Sequence, residues 1–145
     1  MRRRQFFASS FIVGLSTFGL STQLFAQTSQ SLYGKYPEPP LSKEVLKKLP
    51  PTFQEAYLFA KANPKILKQF TCYCGCGQSV GHKSNLDCFV FADGVYNSHG
   101  SRCDVCVDVA LTAKHDEQSG IPIRTSIKQL NLKYKGAPKM LGFPI

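Results

Sequence analysis

The sequence predicts a mostly α-helical fold: a small single-domain helical bundle with two irregular loops that bear cysteine and histidine. Three observations lead to it. Apolar residues recur at three- and four-residue intervals over residues 41–70 and again over 101–134. Glycine and polar residues break that period twice, over 71–83 and 97–101. Once an N-terminal segment of 26 residues is set aside, 119 of the 145 residues remain, enough for one compact core and too few for two. The expected organisation is a signal peptide over 1–26, a flexible Pro/Ser-rich linker over 27–40 and a Cys/His-rich helical domain over 41–145.

The N-terminus has the three parts of a secretory signal. Arg2, Arg3 and Arg4 form a basic start, residues 6–26 carry no charge, and Ala26 offers a small-residue exit. Nine Ser, Thr, Gly and Gln residues dilute that apolar run, which suits a transient signal better than a membrane span. An uncleaved anchor is the alternative. Arg3-Arg4-Gln5-Phe6-Phe7 resembles the twin-arginine signal, although Arg2 and Ala8 stand where that pattern usually has Ser or Thr and Lys. The resemblance implies a protein exported already folded, often with its metal inserted, to the periplasm or the outside of the cell envelope. Membrane contact is expected only through the signal.

Removing the three arginines lowers the net charge from +9 to +6, with lysines scattered from Lys35 to Lys139. Scattered charge is a solvated surface; without basic runs interleaved with aromatics there is no case for a nucleic-acid partner.

In the mature chain, Pro37-Glu38-Pro39-Pro40 closes the linker. Leu41, Val45, Leu46 and Leu49 share one face of a short helix that Pro50-Pro51 stops. Thr52 and Glu55 have capping-box spacing ahead of a helix burying Phe53, Tyr57 and Ala60. Asn63-Pro64 reads as a cap and first residue for a segment burying Ile66, Leu67 and Phe70. Residues 71–83 are a loop. Ser84 and Asp87 can cap a short helix carrying Leu86, Cys88, Phe89 and Phe91, and Asp93-Gly94 turns the chain. After a second loop at 97–101, Ser101 can cap a helix through Cys103, Cys106, Val107, Ala110 and Leu111 that ends near Gly120. The alternation of Val105, Val107, Val109 and Leu111 also fits a strand, but length and the Ala-Leu-Thr-Ala-Lys continuation favour a helix. Pro122 opens a last helix with Ile123, Ile127, Leu130 and Tyr134 inward, and residues 136–145 form an apolar tail suited to docking.

The chemistry is concentrated. Cys72, Cys74, Cys76, His82, Cys88, His99, Cys103 and Cys106 all fall between residues 72 and 106, while His115 stands apart as a surface residue. Cysteines one residue apart are too strained to pair readily with each other. A glycine-bearing loop can instead turn several of their sulfurs toward one ion. Cys103 and Cys106, three apart, project from one helix face, close to a helix start that favours thiolate. Thiolates with imidazoles suit copper, zinc or iron–sulfur centres. The competing reading is a disulfide-stapled structural or interaction domain, the usual meaning of an even cysteine count in an exported chain; three bridges allow 15 connectivities. The crowded spacing, the interleaved histidines and the absence of cysteine from 27–71 and 107–145 favour metal. Asp87, Asp104 and Asp108 read as solvated helix residues, and Tyr73, Phe89, Phe91 and Tyr96 as packing around the site.

Cys72-Tyr73-Cys74-Gly75-Cys76-Gly77, Gly81-His82-Lys83-Ser84-Asn85-Leu86-Asp87-Cys88-Phe89 and His99-Gly100-Ser101-Arg102-Cys103-Asp104-Val105-Cys106 together resemble the PCYCGC-motif proteins. Those are bacterial exported or lipid-anchored proteins of unestablished function. The resemblance spans roughly residues 41–135, and the family's leading proline is Thr71 here. It implies an envelope location and a metal role for the cysteines, and supplies no reaction. Cys72, Cys74, Cys103 and Cys106 also resemble the ligand spacing of small [2Fe–2S] domains such as the bacterioferritin-associated ferredoxin. The gap between Cys74 and Cys103 is short for that pattern, and Cys76 and Cys88 are left over.

Catalytic signatures are missing: no Ser-His-Asp pattern, no phosphate loop, no suggestively paired carboxylates. Cys103-Asp104-Val105-Cys106 keeps a thiol–disulfide oxidoreductase as a minor alternative. The expected function is binding of a soft metal, copper ahead of zinc, for sequestration or for delivery to a partner protein.

Overall fold

The computed structural model describes residues 35–136, all within the unit Ser31–Ile145. The expected export signal, the first part of the linker and residues 137–145 of the expected docking tail lie outside the described residues. Among the described residues, six α-helices form the frame: α1 (Lys43–Leu46), α2 (Pro51–Ala62), α3 (Pro64–Leu67), α4 (Cys76–Ser79), α5 (Asp104–Gln118) and α6 (Ile123–Lys133). Single 3-10 turns at Asn85–Cys88 and His99–Arg102 lie between α4 and α5. The described residues contain no strand, only isolated bridges between Pro40 and Asn97 and between Val90 and Tyr96. The fold is a small, mostly helical domain, as the periodicity predicts. None of the described helices is long and apolar enough to cross a membrane.

The helix starts follow local chemistry. Ser42 caps α1, its Oγ accepting from the Val45 N–H at 3.2 Å. A single turn presents one position inward, so Leu46 is buried while Val45, expected on the same face, is 47% exposed. Pro50 ends that segment and Pro51 opens α2, a first helical position where a missing N–H is no loss. The helix therefore starts ahead of Thr52, and the expected Thr52–Glu55 capping box is not formed. Gln54 instead donates through Nε2 to the Leu49 carbonyl at 2.8 Å, tying α2 to the end of the preceding segment. Pro64 opens α3 after Asn63 as expected, although the Asn63 side chain makes no cap.

The core lies where α2 and α6 pack on α5. Ala56, Tyr57, Phe59 and Ala60 of α2 meet Val107, Val109, Ala110 and Ala113 of α5, and Leu130 anchors α6 with Ile123, Ile127 and Tyr134 beside it. Burial of α5 by more than one neighbour explains the strand-like alternation around Val107 and Val109: both valines are buried although they lie two apart on a helix. Ser101 does not cap α5. The 3-10 turn His99–Arg102 consumes it, and Cys103, with extended backbone (φ −136°, ψ 96°), is the residue from which the helix departs.

Residues 35–40 depart from the flexible linker expected over 27–40. Tyr36 stacks on Phe91 with ring centroids 4.5 Å apart and donates to Asp93 at 2.9 Å. Backbone bonds run from Leu41 N–H to Tyr96 O at 2.8 Å and from Ser98 N–H to Pro39 O at 2.9 Å. This short pairing leaves Glu38 facing inward, 8% exposed.

Candidate metal centre

Three local devices bring the cysteines together. In the first, Gly75 takes φ +86°, a left-handed conformation that side chains resist, and α4 starts directly after it. The reversal turns Cys72 and Cys76 inward, both buried, with Cys74 half-buried. The stretch expected to be wholly irregular thus contains one helical turn. In the second, the Ser84–Asp87 capping box forms as predicted and holds the turn Asn85–Cys88. Asn85, fully buried, bonds from its N–H to Phe70 O at 2.8 Å and from Nδ2 to Cys106 O at 3.3 Å, locking that turn between α3 and α5. In the third, Gly100 lies against Phe89; a Cβ there would meet the Phe89 ring at 2.6 Å and Cys88 O at 3.0 Å. Only glycine lets the turn His99–Arg102 approach so closely.

All eight residues singled out in the sequence meet. Cys72 Sγ lies 3.0 Å from Cys74, 2.9 Å from Cys76, and 3.4 Å from both Cys88 and Cys106. Cys106 is 3.5 Å from Cys74 and 3.4 Å from Cys88, and Cys76 is 3.6 Å from Cys88. These separations far exceed the roughly 2.0 Å of a disulfide, and all six cysteines are free thiols. They approach the roughly 3.8 Å between sulfurs arranged tetrahedrally around an ion at about 2.3 Å. His82 Nδ1 lies 3.4 Å from Cys88 Sγ, and His99 Nε2 lies 3.8 Å from Cys74 Sγ. Four overlapping donor groups can hold a metal ion: Cys74, His99, Cys103 and Cys106; Cys76, His82, Cys88 and His99; Cys72, Cys74 and Cys76; and Cys72, Cys88 and Cys106.

The two imidazoles share one carboxylate. Glu38 accepts from His82 Nε2 through Oε2 and from His99 Nδ1 through Oε1, the latter at 2.7 Å. Each ring spends one nitrogen on Glu38 and turns the other toward sulfur. The rings stand edge-to-face with centroids 4.8 Å apart. Asn97, fully buried, fixes the arrangement: its Nδ2 donates to Glu38 Oε2 at 2.9 Å and to Asp87 O at 2.8 Å, and its Oδ1 accepts from the His99 N–H at 3.0 Å. Tyr57 in turn donates to Asn97 O at 2.6 Å. Glu38 and Asn97 escaped the sequence reading. Glu38 lies in a proline-rich stretch that resembles a linker, and the one available hint was an isolated acid amid prolines.

The electrostatics follow from this packing. Burial works to raise the Glu38 carboxyl, but hydrogen bonds from Asn97 and His99 and the two nearby rings outweigh it and hold it below the usual range. Cys74 and Cys76 pull His99 up to about 11 against its partial burial, with Glu38 adding to the effect. Burial works to lower His82, yet Cys76 and Glu38 raise it. Neighbouring thiols, Cys103 and Cys106 foremost, lower Cys74, and Cys106 followed by Cys72 lowers Cys76. Cys106 moves the other way, raised by Cys103 and Cys72. The directions favour thiolate at Cys74 and Cys76 beside cationic histidines and disfavour it at Cys106.

The remaining expectations can be placed. His115 is exposed on α5, away from the cysteines. Asp104 is exposed, Asp87 caps its turn, and Asp108 accepts from Lys133 at 2.7 Å and Tyr134 at 2.6 Å. Tyr73 stacks on Tyr134 at 5.1 Å and donates to Asn131 at 3.0 Å, closing the α6 side of the site.

Fold and site define a small helical protein with a cysteine- and histidine-rich centre able to hold metal. Residues 24–139 match the family described as protein of unknown function with PCYCGC motif, and the chain belongs to that family. Comparison with curated proteins and with solved structures gave no match.

Proposed function

We propose that the protein is an exported soft-metal binder that sequesters copper or zinc or hands it to a partner protein. The observation that carries this reading is Glu38 holding the outer nitrogens of both His82 and His99. An imidazole whose far nitrogen is fixed by a carboxylate, and whose near nitrogen faces thiols, has the outer-shell arrangement typical of metal-bound histidine. A disulfide-stapled core has no use for it. Six thiols with two imidazoles favour a soft ion, copper ahead of zinc. A four-cysteine [2Fe–2S] centre on Cys72, Cys74, Cys103 and Cys106 accounts less well for the site, because Cys76 and Cys88 also touch Cys72. The site has an open edge: Cys74, Cys103 and His99 are partly exposed, while Cys72, Cys76, Cys88 and Cys106 are buried. An edge of that kind lets an ion pass by ligand exchange to a partner's thiols.

The test is elemental analysis by mass spectrometry with a free-thiol count, on mature protein purified without chelator from the envelope. At least one copper or zinc ion per chain, with free or metal-protected thiols, is the expected result. Protein with neither metal nor free thiols overturns the reading in favour of a stapled core.

A further inference from the structure

The four donor groups are not independent. Cys72, Cys74, Cys76, Cys88, Cys106 and His99 each belong to two of them. Cys72 is central: its buried sulfur touches Cys74, Cys76, Cys88 and Cys106 at 2.9–3.4 Å. Two separate four-donor sites would need each sulfur to serve one ion, and no such division keeps Cys72 from touching ligands of both. Cys88 raises the same difficulty, since it contacts Cys76 in one group and Cys106 in another. His99 cannot resolve it by serving two ions, because its Nδ1 is held by Glu38 and only Nε2 faces the sulfurs. A thiolate has lone pairs enough to bind two soft ions, and sulfurs that face two positions at once are arranged to do so.

We infer that the centre holds a polynuclear, thiolate-bridged cluster of monovalent copper ions, with Cys72 as its central bridge. The inference rests on the metal-binding reading above and specifies its cargo: several ions per chain. Five thiolates that each bridge two ions, with Cys103 and the two imidazoles as terminal donors, support roughly four trigonal cuprous ions, the low coordination that soft ions tolerate. His82 and His99 are terminal donors on the Glu38 side, where their orientation is fixed. Cys103 belongs to one group only and lies at the open edge, so it binds a single peripheral ion. The cluster forms without net electron transfer: cuprous ions replace thiol protons, which pass to solvent, and copper stays in its reduced state.

The experiment is an anaerobic titration of the full mature chain, thiols reduced, with a cuprous acetonitrile complex against a competing cuprous chelator. Native mass spectrometry reads the ions bound, and X-ray absorption reads metal–metal neighbours. The expected result is a dominant species with three or four copper ions, filled cooperatively, with short copper–copper scattering. Saturation at one ion, or stepwise filling of two without copper–copper scattering, overturns the cluster and leaves the metal-binding function standing. Failure to bind copper with all six thiols free overturns the cluster, and failure to bind zinc as well under the same conditions overturns the metal-binding function. In variants, Cys72→Ser is expected to lose more than one ion and Cys103→Ser at most one. Equal single-ion losses would refute the bridge, and the wild-type scattering decides the matter should Cys72→Ser not fold.

Discussion

Glu38 accepts a hydrogen bond from His99 at 2.7 Å although 61 positions separate the two in the chain. The contact exists because a strand-like pairing of residues 39–41 with 96–98 carries the carboxylate under both imidazoles. Glu38→Gln keeps the shape but removes the charge, and its amide can accept only through one oxygen while two ring N–H groups need partners. The expected outcome is metal affinity weakened about 10–100-fold with stoichiometry unchanged. Competition with a chelator of known affinity measures it, and far-UV circular dichroism checks that the helices persist.

Tyr57 supports the same network from behind, through its 2.6 Å bond to the Asn97 carbonyl in a fully buried setting. Tyr57→Phe leaves that carbonyl short of a partner, at an expected cost of about 1–3 kcal/mol. Denaturant titration of the metal-loaded protein should show the loss while the number of bound ions stays constant.

Alkaline pH probes Tyr57 separately. Burial raises its hydroxyl well above the ordinary tyrosine range. The folded state therefore keeps a proton that the unfolded chain gives up near pH 10. Stability from this group is fully present below the unfolded value and falls as pH climbs above it toward the folded one. The stability of the metal-loaded wild type should decline more steeply above about pH 10 than that of Tyr57→Phe, as read by denaturant midpoints along a pH series. Parallel curves for the two proteins would contradict the assignment.

Much of the frame was legible from residue spacing. Pro64 and Pro122 marked helix starts, Leu130 and Tyr57 marked buried faces, and the Ser84–Asp87 box was visible as a pair three apart. The eight Cys and His positions stand out because soft donors crowded into one stretch are conspicuous, and the fold brings them together. What stayed hidden depends on contacts distant in sequence. Glu38 looked like a linker residue because nothing local shows that residues 39–41 pair with 96–98. Val45 and Ser101 failed for another reason: a one-turn helix has no second inward position, and a 3-10 turn placed ahead of α5 moved its start from Ser101 to Cys103.

Gly100 tests the close packing of the turn His99–Arg102 against Phe89 and Cys88. Because a Cβ would come within 2.6 Å of the Phe89 ring, Gly100→Ala must push His99–Arg102 away from Cys88. Such overpacking is expected to cost about 1–3 kcal/mol, and because the displaced turn carries His99, metal affinity should fall with it. Thermal denaturation and chelator competition on the same variant should therefore move together. A stability loss with unchanged affinity would separate His99 from the site.

Metal removal should loosen one part of the molecule before the rest. The helices α2, α5 and α6 meet through Tyr57, Phe59, Val109, Ala110 and Leu130, apolar packing that continues the core beyond the buried cysteines. The segments carrying Cys72–Cys76, Cys88 and His99 have little regular structure of their own, and they converge on the sulfurs. Where ordering depends on an ion, binding energy is folding energy, and local opening follows the parts with the fewest other contacts. Chelation under reducing conditions is thus expected to abolish amide-exchange protection over 71–103 while α2 and α5 keep most of theirs. Hydrogen exchange read by mass spectrometry resolves those segments. Uniform loss of protection would make the metal the keystone of the whole core, and protection unchanged throughout would mean that the thiols hold their places without an ion.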